Sequence, residues 1–186
     1  TPAPRASRSL TDMGNAERVA DRYRDRLRWN AKRKAWLAWT GKRWENDDLG
    51  YAIQAIVETI RAIPEEGEGK DEKTIKALRK HALKSESLAR ITAANTLARA
   101  IPGMAILPED LDTRLDELNT PAGIVDLQTG EIRAHDPEAL HTRITKTAYT
   151  PIDDPLQAAP RFRRFLADCF HTPELTSRSE ERRVGK

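Results

Sequence analysis

Apolar residues recur at three- and four-residue spacing along five parts of the chain, which is the period of an amphipathic helix. The pattern predicts helices at residues 12–25, 47–63, 73–84, 86–100 and 161–170. Thr11 or Asp12 is the expected N-cap of the first helix, and Asp47 or Asp48 that of the second. Residues 64–72, PEEGEGKDE, carry no apolar period, so we expect a solvated, mobile acidic connector that buries nothing.

Short apolar or alternating runs bounded by Gly and Pro predict strands on either side of these helices. The first group is expected at 27–29, 35–39 and 42–45, with Thr40-Gly41 as the turn between the last two, and a further short strand at 104–107. The fold class that follows is α+β and mostly α, with central helices flanked by small β-hairpins.

The segment with the clearest local shape is 118–137, LNTPAGIVDLQTGEIRAHDP. An apolar run from Ile124 to Leu127, a turn at Gln128-Thr129-Gly130 and a resumed extended pattern predict a β-hairpin. Gly130 suits the loop position that needs positive φ. A single helical turn at 137–140 and a third strand at 142–149 are expected after it.

Composition narrows the class of protein. Charged residues make up 33% of the chain and aromatic residues 5%, so the core must be largely aliphatic. No apolar run approaches the roughly 20 residues that span a bilayer, and no signal peptide opens the chain, so we expect a soluble, intracellular protein without a membrane partner. The single cysteine, Cys169, excludes an internal disulfide and is expected to be an inert thiol in the core.

Both ends of the sequence have unusual compositions. Residues 1–10 are rich in Pro, Ser and Arg, and predict a linker from an upstream domain. Residues 178–186, RSEERRVGK, match the translation of a widely used sequencing adapter, so we expect them not to be native. They hold four cations and two carboxylates, and without them the net charge of +3 falls to +1. The overall charge is therefore no argument for binding nucleic acid.

A basic and aromatic block lies between residues 22 and 44. It contains all four tryptophans, a single carboxylate at Asp25, and nine cations, namely Arg22, Arg24, Arg26, Arg28, Lys32, Arg33, Lys34, Lys42 and Arg43. One interpretation is a nucleic-acid face, in which the cations neutralise phosphates and a tryptophan stacks on a base. The other is that most of the indole rings fill the core while the charges form a solvated rim. Both remain open from the sequence.

No arrangement of residues predicts catalysis or a metal site. The acidic residues between 109 and 117 could hold magnesium, but a helix start and a polar loop explain them more simply. His81 has no second ligand at metal spacing, and we expect a partly buried helical histidine. The phosphate-binding pattern G-x-x-x-x-G-K-[ST] does not occur, so no catalytic residue, metal or cofactor is assigned to this chain.

Several short motifs occur in a fixed order along the chain. The string Leu10 to Arg18, LTDMGNAER, includes Gly14-Asn15, which helix propensity does not favour. Further motifs contain Ser85 and Arg90 in the helical middle and Asn119, Gly123, Asp126, Leu127 and Gly130 in the hairpin segment, with Trp36, Trp39 and Trp44 in the basic block. Together they resemble the module that precedes the helicase core in phage and plasmid primase-helicases, a segment shared with the poxvirus primase-helicase. Ala122 departs from this resemblance, because many relatives have Asn or Gly there.

The resemblance implies an organisation and a role. Residues 11–150 would be an interdomain module (hairpin 27–46, helices 47–101, hairpin region 104–150), and residues 151–177 a connector and helix leading into a superfamily 3 helicase domain. The parent protein would hydrolyse ATP to unwind DNA as a homo-oligomeric ring, expected to be a hexamer, in the cytoplasm of a bacterial or archaeal host. ATP and Mg²⁺ would belong to the helicase domain alone. The alternative is a stand-alone nucleic-acid-binding module that uses the Arg/Lys/Trp-rich hairpin.

Overall fold

The computed structural model describes residues 8–150 and a helix at 160–169. Within these residues the α+β prediction is confirmed, since α-helices alternate with two small sheets. The described residues fall into two compact units. The first contains the chain up to residue 115 together with 135–144, and the second contains 116–134 and the part from residue 145 onward. None of the described helices is both long and apolar enough to cross a lipid bilayer.

Helix α1, Asp12–Tyr23, begins as predicted at Thr11, whose hydroxyl accepts a 3.1 Å hydrogen bond from the backbone N–H of Gly14. Gly14 is required by packing, because a Cβ at this position would lie 2.0 Å from the carbonyl oxygen of Ser9. Arg18 holds the same incoming segment, since its buried guanidinium donates to the carbonyl oxygens of Ser9 and Arg8. The unusual glycine therefore reflects close contact between the helix and the chain that enters it.

Four strands form the sheet of the first unit: β1 (Leu27–Asn30), β2 (Ala35–Trp39), β3 (Trp44–Asn46) and β4 (Ala105–Ile106). Their order is β3-β2-β1-β4, with antiparallel neighbours except for β1 and β4, which are parallel. The predicted strands at 27–29 and 35–39 are thus confirmed, and the third begins two residues later than expected.

Helices pack against one face of this sheet. They are α1, α2 (Tyr51–Arg61) and α4 (Leu88–Ala98), while α3 (Glu72–Ser85) packs on α2 and on the 3-10 helix before it. The core between sheet and helices includes Leu27, Trp36, Ile56, Ile60, Ala94 and Ala98. Alanines predominate where α1 meets α4, and small side chains allow two helix axes to approach closely.

The return segment 135–144 bonds to the edge strand β3 and contacts Arg28 and Trp44, whose side chains project from the face opposite the helices. Its 3-10 helix, Pro137–Ala139, is the helical turn predicted from the sequence. Trp44 is fixed by this segment at two points, since its backbone N–H donates to the carbonyl of His141 and its indole N–H to that of Pro137. The first sheet is therefore contacted on both faces, and these contacts leave Trp44 only 1% exposed.

The second unit contains a three-stranded antiparallel sheet of β5 (Glu117–Thr120), β6 (Gly123–Asp126) and β7 (Ile132–Arg133). The predicted hairpin corresponds to β6 and β7 and is confirmed, with Gly130 at φ +76°. The Asp126 carboxylate accepts from the backbone N–H groups of Gln128 and Thr129, which fixes the loop and lowers the pKa of Asp126. Strand β5 was not expected, because its acidic surroundings indicated a loop.

Two further predictions are wrong. Residues 64–72 are not a connector that buries nothing, since Gly67, at the end of a 3-10 helix at Ile63–Gly67, is buried against Ile75 and Leu78 of α3. The third strand predicted at 142–149 does not form in the described structure; its backbone is bonded to the second sheet at one point, where Thr145 N–H donates to the carbonyl of Asn119.

Some residues within the predicted helices, among them Leu49, Leu88 and Cys169, are exposed. Leu49 is 90% exposed because α2 begins only at Tyr51, where both Asp47 oxygens accept backbone N–H bonds from Tyr51 and Ala52. Leu88 is 81% exposed, at the first position of α4. Cys169, the last residue of α5 (Pro160–Cys169), is exposed, so it is no core thiol.

Candidate nucleic-acid interface

Strand register divides the basic block between two ends of the first sheet. Leu27 of β1 faces Ala38 of β2, and Trp39 N–H donates a 2.9 Å hydrogen bond to the carbonyl of Arg26, so the α1–β1 and β2–β3 turns lie at one end. We call this the Arg26 end, formed by Arg24, Arg26, Lys42 and Arg43, and Arg22 leads into it from the last turn of α1. Lys32, Arg33 and Lys34 occupy the β1–β2 turn, which we call the Lys34 end. The predicted single face is therefore two separate patches.

Arg28 does not lie in either patch. Its side chain is buried against the sheet, its guanidinium lies 5.4 Å from the centre of the Trp44 ring, and its Nη2 donates a 2.6 Å hydrogen bond to Glu138. The expectation that the charges form a solvated rim is wrong for this residue, because β-strand alternation turns it toward segment 135–144. Arg28 therefore acts in packing, and a phosphate cannot reach it without opening the fold.

Several of the remaining cations have carboxylate or hydroxyl neighbours. Lys32 forms an exposed ion pair with Glu109, and Arg43 forms one with Glu45 across the turn into β3. A hydrogen bond with the Tyr51 hydroxyl raises the pKa of Arg26, and Asp25 adds to this effect. Exposed pairs of this type contribute little to stability, so these cations remain able to exchange a carboxylate for a phosphate.

The four tryptophans form two cross-strand pairs. Trp29 and Trp36 meet edge to face, at 5.4 Å between centroids, on the helix-covered side, and Trp39 and Trp44 meet at 5.5 Å on the other side. The prediction that the rings lie in the core is confirmed for Trp36 and Trp44, which are buried. Trp29 is half-buried beneath the guanidinium of Arg99, at 4.1 Å. Trp39 is half-buried as well, and it lines a cleft.

That cleft lies at the Arg26 end and has a volume of about 570 Å³. Its walls are the rings of Trp39 and Tyr51 together with Pro137, and its rim is formed by Asp25, Arg26 and the Thr40-Gly41 turn. The Tyr51 ring is held from behind by Tyr23, in an edge contact at 6.2 Å. Burial and a 2.6 Å hydrogen bond to Glu58 in turn raise the pKa of Tyr23 to about 12.

A second cleft, of about 590 Å³, lies beside β2 and β3. Arg33, Arg43 and Arg143 line it, but so do the carboxylates of Glu45, Asp48 and Asp112, which balance the three positive charges. Asp112 is already engaged, because it accepts hydrogen bonds from both the backbone N–H and the hydroxyl of Thr142. This cleft has no net charge to attract an anion.

The motif residues of the helical part come together in the interior. Asn15 of α1 donates a 3.0 Å hydrogen bond to Ser85 of α3, and its carbonyl oxygen lies 2.9 Å from Nε2 of His81. All three side chains are buried, and His81 is more deeply buried than the partial burial predicted for it. Burial lowers the pKa of His81, and the positive charges of Arg18 and Arg90 lower it further. Two motifs that are far apart in the sequence thus form one polar network.

The motif residues of the second unit form its small sheet. Asn119 is buried and accepts the Thr145 bond already described, while Gly123 begins β6 and Asp126 closes the hairpin loop. Gly130 accepts a 3.1 Å hydrogen bond from the hydroxyl of Tyr149, whereas Leu127 is exposed. These residues therefore shape the unit rather than present a set of reactive groups.

The acidic residues near 109 serve local structure. Asp110 accepts from the backbone N–H of Leu107 and caps the 3-10 helix Pro108–Asp110. Across residues 8–150 and 160–169, no three metal-ligating side chains converge. The helix-start interpretation of this segment is thus confirmed for Pro108–Asp110.

The fold and this surface define a mixed α+β module with basic patches at two ends of its first sheet. A sequence model of the family described as D5 N terminal like matches residues 16–171, and the chain belongs to that family, a module found in primase-helicase proteins. Membership links the chain to DNA replication. A search among curated proteins found no match.

Proposed function

We propose that this chain is a non-catalytic interdomain module of a phage or plasmid replication protein, lying between a primase and an ATP-dependent superfamily 3 DNA helicase. The observation that carries the proposal is the family match over residues 16–171. In the parent protein the helicase domain binds ATP and Mg²⁺ and unwinds DNA as a hexameric ring. The module links the two activities and forms a collar on that ring.

The way the motif residues are used supports a mechanical role. Asn15 and Ser85 join α1 to α3 through buried hydrogen bonds, and Asn119 and Asp126 stabilise the second unit. Hydrogen bonds of this kind stiffen each unit and leave no cluster of reactive groups on its surface. Stiff units suit a collar, because a collar must support neighbouring domains while the motor domains move.

The reading frame that encodes the chain provides the first test. We expect a Walker A lysine within the domain that follows residue 177. A stop codon close to that position would contradict the proposal and favour a stand-alone nucleic-acid-binding module, for which the cations at the Arg26 end are the supporting observation.

The second test uses the intact parent protein. Deleting residues 11–150 should leave ATP hydrolysis by the helicase domain measurable but abolish strand displacement and stable ring assembly, followed by light scattering coupled to size exclusion. Unchanged unwinding and unchanged assembly in the deletion variant would contradict a collar role.

A further inference from the structure

We propose that the cleft at the Arg26 end binds single-stranded nucleic acid, with one base against Trp39 and Tyr51 and the flanking phosphates on Arg24, Arg26 and Lys42. This inference rests on the proposed function for its biological setting, but its physical basis is the cleft itself. The nucleic acid binds at the Arg26 end only, and it does not contact Arg28 or the buried tryptophans.

The aromatic wall is already fixed in a shape that a base can use. Trp39 is held from one side by Trp44, and Tyr51 is held by the edge of Tyr23. A volume of about 570 Å³ lies within the roughly 300–1,000 Å³ of small-ligand clefts and leaves room for a nucleobase. Rings that are ordered before binding lose little entropy when a base stacks on them. Such stacking requires an unpaired base, so the ligand is single-stranded.

Charge at this end of the sheet favours a polyanion over other ligands of an aromatic cleft. Arg26 lines the cleft together with one carboxylate, Asp25, and Arg24 and Lys42 are exposed in the two flanking turns, so cations outnumber carboxylates around the cleft. The β2–β3 turn is also open, since no atom lies within 4 Å of where a Cβ on Gly41 would stand, and a phosphate backbone can approach it closely. A proline-rich peptide would suit Trp39, Tyr51 and Pro137, but it carries no negative charge to complement the excess of cations at this end of the sheet.

The Lys34 end lacks this combination. The cleft beside β2 and β3 is lined by one aromatic residue, Trp44, which is buried, so it offers no exposed ring on which a base could stack. The exposed cations of the Lys34 end, Arg33 and Lys34, are therefore a charge-matched control for Arg24 and Lys42. The comparison separates binding at a defined site from general attraction to a basic protein.

The test measures binding of the full chain to fluorescein-labelled oligo-dT and oligo-U of about 12 nucleotides, a length within known site sizes, by anisotropy at about 50 mM salt. The double variant Arg24→Ala/Lys42→Ala should bind about tenfold or more weakly, and its salt dependence should fall by roughly 1.4 in log-log slope, because each phosphate contact on a single strand contributes about 0.7. The variant Arg33→Ala/Lys34→Ala should change affinity by less than about twofold. Comparison of the two oligonucleotides distinguishes DNA from RNA, and tighter binding of either one supports the site.

Stacking is tested separately from charge. Binding should quench tryptophan fluorescence in the unsubstituted chain, and Trp39→Phe, which keeps an aromatic ring on Trp44, should remove most of the quench while thermal unfolding by circular dichroism shows an intact fold. An oligonucleotide with abasic positions should bind the unsubstituted chain about tenfold more weakly, in line with the roughly 1–3 kcal/mol of one stacked base.

Three outcomes would overturn the inference: equal losses in the two double variants, no binding of either oligonucleotide at low salt, or displacement of the oligonucleotide by a proline-rich peptide that fills the cleft. These outcomes are independent of the proposed function. If the chain binds the oligonucleotides but a stop codon follows residue 177, only the interdomain role is contradicted. If a Walker A lysine lies downstream but the chain does not bind the oligonucleotides, only the ligand assigned to the cleft is contradicted.

Discussion

Asn15 donates a 3.0 Å hydrogen bond to the hydroxyl of Ser85 across 70 residues of sequence, and both side chains are completely buried. His81 completes the contact, with Nε2 at 2.9 Å from Asn15 and 3.3 Å from Ser85. A buried polar group that loses its hydrogen bonds costs more than an apolar group that never made them. The network therefore fixes how α1 and α3 pair, and both residues are needed for it.

Replacing Asn15 with Ala should lower the free energy of unfolding by about 2–3 kcal/mol, because Ser85 and His81 each lose a buried hydrogen bond. Urea denaturation followed by circular dichroism measures the change. Asn46→Ala, at an exposed amide in β3, is the control and should stay within about 0.5 kcal/mol. An Asn15 variant as stable as the control would show that the network contributes nothing.

Stability should fall as the pH drops below about 6.5, the ordinary pKa of histidine. The folded-state pKa of His81 is lowered by burial and by Arg18 and Arg90, against smaller opposing effects of Asp12 and Glu66. The unfolded chain then takes up a proton that the folded chain does not, so this contribution is complete above the unfolded pKa and is lost as the pH falls below it.

Urea denaturation at a series of pH values from 7.5 to 5 would reveal this slope, which for one proton is at most about 1.4 kcal/mol per pH unit. His81→Gln keeps a hydrogen-bonding side chain without the titration and should flatten the profile. Identical profiles for the two proteins would rule out His81 as the source.

Gly14→Ala should destabilise the fold by 1 kcal/mol or more, although alanine is by about 1 kcal/mol the better helix former. The added Cβ would stand 2.0 Å from the carbonyl oxygen of Ser9, so the entering chain must move and weaken its bonds to Arg18. Thermal unfolding checks the sign. In a variant lacking residues 1–9 the clash is gone, and the same substitution should become neutral or stabilising.

Arg28→Ala should cost about 2–3 kcal/mol, because it removes the guanidinium from the Trp44 ring and empties space beside segment 135–144. Glu138→Gln should cost less than about 1 kcal/mol, since the Glu138 side chain is 67% exposed. Chemical denaturation of both variants tests this asymmetry. Equal costs would mean that the ion pair, rather than packing on Trp44, holds Arg28.

Much of the fold follows from local sequence. The sequence predicts the helix capped by Thr11 from its capping residue, and the strand 35–39 from its alternating pattern. It predicts the hairpin loop from Gly130, which tolerates positive φ. The errors came where distant contacts decide the outcome. In the acidic segment 64–72, Glu66 forms an ion pair with Arg18 of α1. Because the two residues are far apart in the sequence, no local pattern predicts this contact.

The candidate site also combines features that local sequence predicts with features that depend on distant contacts. The density of Arg, Lys and Trp between 22 and 44 was visible, but its distribution was not, because strand register decides which turns share an end of the sheet. Alternation indicates that Arg28 and Trp29 point to opposite faces, but only the register of β1 on β2 shows that Arg28 shares a face with Trp39. The cleft also needs Tyr51 and Pro137, which belong to segments whose position relative to the hairpin only tertiary structure supplies.

The parallel pairing of β4 with β1 has a kinetic consequence. All of α2, α3 and α4 lie between these two strands in the sequence, so Trp29 can meet Ala105 only after the ends of a long intervening loop come together. Closing such a loop is entropically costly and gains little until the helices are compact. We therefore expect the hairpin of β1 and β2 to form early and β4 to join last, so that refolding is slowed by a single late step at this sheet edge.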